Sequence, residues 1–215
     1  MTERRRRTER RGSGRGGRRP ADSTWGSVWL ARDWTPTPRC PLLIVLEDAA
    51  DWKNTGQQFR NACAGRRVVI LAPNLAVHSA DSIASWVRDV SDECGPGGSY
   101  FVYGRGAAAA AATSVVLREC ETTLALALIE PAALAPALRG VRVEAERVAV
   151  RAMFSAHDPL LAVHLDAWRE SAAAAWQAGF RSLDVAVVDV AAGSRAVDEA
   201  LQFFDDVRVS AATRT

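Results

Sequence analysis

Short apolar runs of five to eight residues recur along this chain, most of them followed by a stretch whose apolar residues fall three and four positions apart. No other feature restricts the fold as much. The runs lie within "PLLIVLED", "RRVVILAPN", "SYFVYG", "LALALIEP", "RVAVRAMFSAHDP" and "SLDVAVVDV", with "TWGSVWLARDW" ahead of them as an edge strand. Near-continuous apolar strands belong to sheets covered on both faces. Between them, four sets of residues each fall largely on one face of a helix: Trp52, Phe59 and Cys63; Ile83, Trp86, Val87, Val90 and Cys94; Leu161, His164, Leu165, Trp168 and Trp176; and Val197, Leu201 and Phe204. Asp81 reads as a helix start and Gly179 as a stop. Strands alternating with helices at this pitch predict an α/β fold, a mostly parallel, doubly wound sheet with helices on both faces. Ligands of such sheets sit at the carboxyl ends of the strands. The loops at 47–51, 73–80, 104–107, 130–140, 155–160 and 190–194 are therefore where function is sought.

With 215 residues, 48% of them hydrophobic, the chain can bury a full core, and one domain over residues 23–210 is expected, without repeats or linkers. The apolar runs are far shorter than the roughly 20 residues a membrane helix needs. No apolar stretch follows the early arginines, so neither a leader nor an anchor is expected and the expected location is the cytoplasm. Residues 1–20 hold nine arginines and two glutamates, so with a whole-chain charge of +2 the remainder carries −5. A basic Gly, Ser and Arg segment over residues 1–22 cannot repay its ordering entropy and is expected to be disordered. The body has no basic helix or aromatic-basic interleaving, so nucleic acid is not the expected partner. Cys40, Cys63, Cys94 and Cys120 show no C-x-x-C spacing and have no histidines nearby, which argues against zinc and against a disulfide framework. Neither a metal nor another cofactor is expected.

The stretch "YFVYGRGAAAAAATSVVL" is a strand that turns through Gly104-Arg105-Gly106 into an alanine-rich helix. The turn lacks the G-x-x-x-x-G-K-[ST] of a phosphate loop and meets half of a dinucleotide fingerprint on a middle strand, so nucleotide binding is disfavoured. It fits better a nucleophile elbow, where a strained residue between strand and helix presents its side chain above the sheet edge. The succession of a strand ending in an acidic turn, a Trp-initiated helix, "RRVVILAPN", an amphipathic helix, the elbow, "LALALIEP" and "AVRAMFSAHDPLL" resembles the α/β-hydrolase superfamily over about residues 40–207.

Under that resemblance, the family's G-x-S-x-G falls on Gly104 to Ala108, with Gly106 in the serine position. Its acid falls on Asp158. Its histidine belongs in the loop where this chain reads Ala191-Ala192-Gly193-Ser194, and its oxyanion turn falls on Glu47-Asp48, leaving the backbone N–H of Ala107 as the remaining oxyanion donor. The resemblance therefore implies a capless, degenerate member without the serine and histidine of acyl transfer.

Two functions stay open on the sequence. One is a pseudo-hydrolase that binds a small apolar molecule or a protein partner, with Asp48, Gly106, Ala107 and His78 among the binding positions. The other is a lyase, isomerase or cyclase using Asp158, His157 and Glu47 as acid and base, with Arg105 steadying an anionic group. His164 reads as a packing residue. Trp25, Trp29 and Trp34 seal the sheet edge or form an aromatic wall. Only "PAALAPALRGVRVEAE" stands where many relatives insert a cap, so a second copy of the chain is the expected partner over an open site, as a homodimer.

Overall fold

The computed structural model describes residues 26–30, 39–48, 50–64, 66, 68–76, 78–94, 97–132, 134–189 and 193–213. The arginine-rich start, Trp25, Trp34, Ala191 and Ala192 lie outside these residues.

Among the described residues, seven strands and six helices follow one another, alternating from β2 onward: β1 (Gly26–Trp29), β2 (Leu42–Leu46), α1 (Trp52–Ala62), β3 (Val69–Pro73), α2 (Ala80–Cys94), β4 (Tyr100–Arg105), α3 (Ala108–Arg118), β5 (Thr123–Ile129), α4 (Ala135–Leu138), β6 (Ala149–Ser155), α5 (Leu161–Ala178), β7 (Ser182–Val188) and α6 (Gly193–Ala212). They form one sheet in the order β1-β3-β2-β4-β5-β6-β7. β1 runs antiparallel to β3, and every other neighbouring pair is parallel. The predicted doubly wound α/β architecture is what the chain adopts, with β1 as the predicted edge strand.

Alternation along each strand divides the core in two. Leu42, Ile44 and Leu46 of β2 join Val102, Leu126, Leu128 and Phe154 under α2, α3 and α5, where Ile83, Val87, Val115 and Trp168 meet them. Leu43 and Val45 join Phe101, Tyr103, Ala125, Ala127 and Met153 on the other face, against Trp52 and Phe59 of α1 and Val197, Leu201 and Phe204 of α6. The alternation "LALAL" thus has a purpose on each side. Leu126 and Leu128 fill one layer, and Ala125 and Ala127 leave room on the other for the α6 phenylalanines, whose Phe204 ring sits 5.3 Å from that of Phe101.

The alanine run of α3 has a similar cause. A Cβ on Gly104 would lie 2.5 Å from Ala112 Cβ and 3.1 Å from Ala109 Cα, so α3 rests almost directly on the backbone of β4. α5 ends at Gly179, as its sequence indicates. Trp176, however, leaves the apolar stripe of α5. It is half exposed and lies beneath the Arg181 guanidinium, 4.8 Å from the ring centre, while Trp168 stays in the core. No disulfide joins the four cysteines, and burial pushes the thiols of Cys63 and Cys94 up, away from thiolate chemistry. No helix among the described residues is long and apolar enough to cross a membrane.

Candidate functional site

β2 and β4 are neighbours, with Leu46 opposite Gly104, yet the chain leaves them in opposite directions, toward β3 from one and toward β5 from the other. The carboxyl ends of such a diverging pair form the crevice where open α/β sheets bind their ligands. Here they carry Glu47 and Asp48 from β2, and Arg105 and Gly106 from β4. The sequence therefore brings four of its candidate residues to one place.

Gly106 has φ +54°, the left-handed region that costs a side chain about 1–2 kcal/mol. Its N–H donates to Ile129 O at 2.9 Å, and its carbonyl accepts from Ala132 N at 3.2 Å, which stitches the turn to the end of β5. Among the described residues, the one atom within 4 Å of where a Cβ would stand is Asp48 Oδ2, at 3.9 Å. A carboxylate thus leans over the position from which an elbow presents its nucleophile. Ala107, the next residue, is exposed and caps α3, whose first-turn N–H groups have no acceptor within the helix.

Glu47 is 3% exposed. Its Oε2 accepts from the Thr55 hydroxyl at 3.2 Å and its Oε1 from Asp48 N at 3.3 Å. Burial pushes the carboxyl above its ordinary value, while the Asp48 N–H, the Arg105 charge and the Thr55 hydroxyl pull it only part of the way back. The buried Tyr103 hydroxyl is raised too, first by desolvation and then by the Glu47 charge.

A raised carboxyl means the folded chain keeps a proton that the unfolded chain has already released. That contribution to stability is complete below the ordinary value of 4.5 and is lost as pH rises through the higher folded value. Glu47→Gln removes the titration, so the variant's stability relative to the parent is expected to grow as pH rises from 4.5, read as urea midpoints. A difference that stays constant with pH would mean that the carboxyl titrates as an ordinary glutamate.

Glu130, which opens the 130–140 loop, is not among the candidate residues that motif and spacing pick out. It follows β5 in the left-handed region, φ +46°, an uncommon conformation for a residue with a side chain, and its N–H donates to Met153 O at 2.8 Å. Its carboxylate lies 3.9 Å from Arg105. Strain of this kind, on the order of 1–3 kcal/mol, tends to gather where function needs it. The one sequence signal is that Glu130 precedes Pro131 at the end of an apolar run.

A second group stands farther along the same edge. Asp158 Oδ1 accepts from Leu160 N at 2.9 Å, forming the turn into α5, and its Oδ2 is 2.6 Å from His164 Nδ1. Asp158 therefore pairs with His164 and not with its neighbour His157. His164 is a polar residue of the edge with its ring partly exposed, which corrects the packing role read from its apolar spacing. With Nδ1 held by the carboxylate, Nε2 is the nitrogen left to accept a proton when the ring is neutral. His157 is largely exposed, with Nε2 4.0 Å from Asp189 Oδ1, and Asp189 also pairs with Arg195. His78 is half-buried in the loop after β3, one strand beyond β2 from the elbow. β5 separates β4 from β6, so the two groups are about 10 Å apart along the edge.

Among the described residues, no three His, Cys, Asp or Glu side chains gather closely enough to hold a metal ion. Gly193 and Ser194 open α6, while the Ala191 and Ala192 positions of the same loop lie outside the described residues.

No protein-family model matches the sequence, and neither does any curated protein. Solved structures match the fold. A thermostable esterase superposes with a TM-score of 0.61 at 10% identity over 85% of this chain, which spans 57% of that protein. The Bacillus cereus carboxylesterase gives 0.60 at 10% identity, covering 85% of this chain and 94% of its own. A thermophilic esterase from the Planctomycetes species Thermogutta terrifontis, solved with butyrate bound, gives 0.57 at 18% identity over 86% and 88%.

Proposed function

Starting from the α/β-hydrolase fold shared with these esterases, we propose that this chain is a non-hydrolytic protein of that fold. It binds a small, largely apolar molecule or a protein partner at the carboxyl edge of its sheet. One observation carries this reading: Gly106 occupies the elbow, with the Asp48 carboxylate 3.9 Å from the empty Cβ position. Acyl transfer needs a nucleophile at that point and hydrogen-bond donors facing the developing oxyanion. Here Gly106 brings no side chain to that point, and carboxylates stand where the resemblance puts one of the donors. A ligand that reaches the elbow meets the exposed Asp48 carboxylate, so the part of it lying there offers hydrogen-bond donors, while the remainder is apolar.

The raised Glu47 carboxyl favours a second reading, because a carboxyl whose pKa is moved up toward neutrality is suited to moving protons. In that reading the protein is a lyase, isomerase or cyclase. Glu47 and the Asp158–His164 pair exchange protons with the substrate, and Arg105 steadies an anionic group.

Native mass spectrometry of the purified chain, incubated with a small-molecule extract of its source cells, separates the two. A compound captured and released at unchanged mass is the expected result. A compound released at a new mass, with the change lost in Glu47→Gln or Asp158→Asn, would replace the first reading with the second.

A further inference from the structure

Among the described residues, β7 ends the sheet and pairs only with β6. It is built from the apolar run "SLDVAVV", yet Val185 and Val187 are 45% and 47% exposed. An apolar edge strand of seven residues is a template for another strand. Val188 O accepts from Ala156 N at 2.9 Å, so the backbone groups of the even-numbered residues face β6, and by alternation those of Leu183, Val185 and Val187 face outward.

We propose that β7 is the seam of a two-fold dimer, pairing antiparallel with β7 of a second copy so that Val185 opposes Val185. In that register every outward-facing position meets another, Leu183 against Val187 and Val185 against itself, and their side chains form one continuous apolar row on the α5 face. Charge selects the register. Arg181 and Asp189 lie equally far from Val185 on either side, so each end of the seam sets an arginine against an aspartate. Moving the centre by one residue in either direction separates them.

Asp184 Oδ1 accepts from Val185 N at 2.8 Å and must give up that bond. Its Oδ2 stays with Arg151 Nε at 2.8 Å, so the carboxylate remains paired. Arg181 donates through Nη1 to Trp176 O and Phe180 O, and its other N–H groups are the ones that meet Asp189. Because Asp189 lies 4.0 Å from His157, the seam ends beside the carboxyl edge. It does not depend on how the Gly106 site is read.

Sedimentation analysis of the full chain tests the seam. The parent is expected to be a dimer. Val185→Pro removes an outward N–H at an edge position, which the folded chain tolerates, and is expected to yield a monomer with an unchanged circular dichroism spectrum. Arg181→Glu and Asp189→Arg are each expected to weaken association about tenfold, since the two-fold axis applies every change twice, and the double variant is expected to restore it. A parent that stays monomeric at every concentration would overturn the proposal, as would a dimer indifferent to these changes or a folded double variant that does not recover. If Val185→Pro does not fold, the charge reversals decide alone.

Discussion

Gly104→Val is expected to lower the unfolding free energy by about 3 kcal/mol, because overpacking a close contact forces the elements apart. Gly106→Ser, two residues later, is expected to cost only about 1 kcal/mol, the penalty of a left-handed residue with a side chain. The two glycines differ in what surrounds them. A Cβ on Gly104 meets Ala112 Cβ at 2.5 Å and the Ala109 backbone at 3.1 Å, so α3 must lift from the sheet. Among the described residues, a Cβ on Gly106 has only the Asp48 carboxylate near it, at 3.9 Å. Urea denaturation of the two variants measures the difference directly. Equal losses would mean that α3 is not seated on β4 as described, or that the space above the elbow is filled.

Phe59→Ala is expected to cost about 3–5 kcal/mol, the range for emptying a fully buried aromatic site. Phe59 has no exposed surface, and its ring stands edge-on to that of Tyr103, with centroids 4.9 Å apart and an interplanar angle of 71°. The strand leading into the elbow is thus held by α3 on one face and by Phe59 of α1 on the other. Thr55, one turn earlier on the same helix, donates to Glu47. Loosening α1 therefore also loosens a hydrogen bond of the buried carboxyl. A loss below about 1 kcal/mol, typical of surface substitutions, would contradict this packing.

Much of the sheet was legible because its strands are apolar on both faces and its helices repeat at three and four residues. Those periods fixed the layers, and the acidic turn and the glycine turn fell at the carboxyl edge where the resemblance put them. What the sequence could not convey was which neighbour each polar group would find. His164 follows Leu161 and precedes Leu165 and Trp168 at helical spacing, so periodicity assigns it to the apolar stripe. Asp158, six residues earlier, sits in the turn that begins α5 and draws the ring into a 2.6 Å contact that spacing alone does not encode. Glu130 owes its place to one residue's backbone conformation, for which no spacing rule exists. β7 shows a third limit. "SLDVAVV" reads as a strand, but hydrophobicity does not reveal how many neighbours a strand has, and this one is at the edge. The loop where the resemblance places the superfamily's histidine reads Ala191-Ala192-Gly193-Ser194 and holds none.

The central claim, that the elbow no longer supports acyl transfer, is tested most directly by treating the parent chain with a fluorophosphonate and weighing the intact protein. No added mass is expected on the parent, and a partial adduct is expected on Gly106→Ser, where a hydroxyl has been returned to the open position. A stoichiometric adduct on a serine of the parent chain, together with turnover of a simple aryl ester, would contradict the account and make this protein a hydrolase with its nucleophile elsewhere.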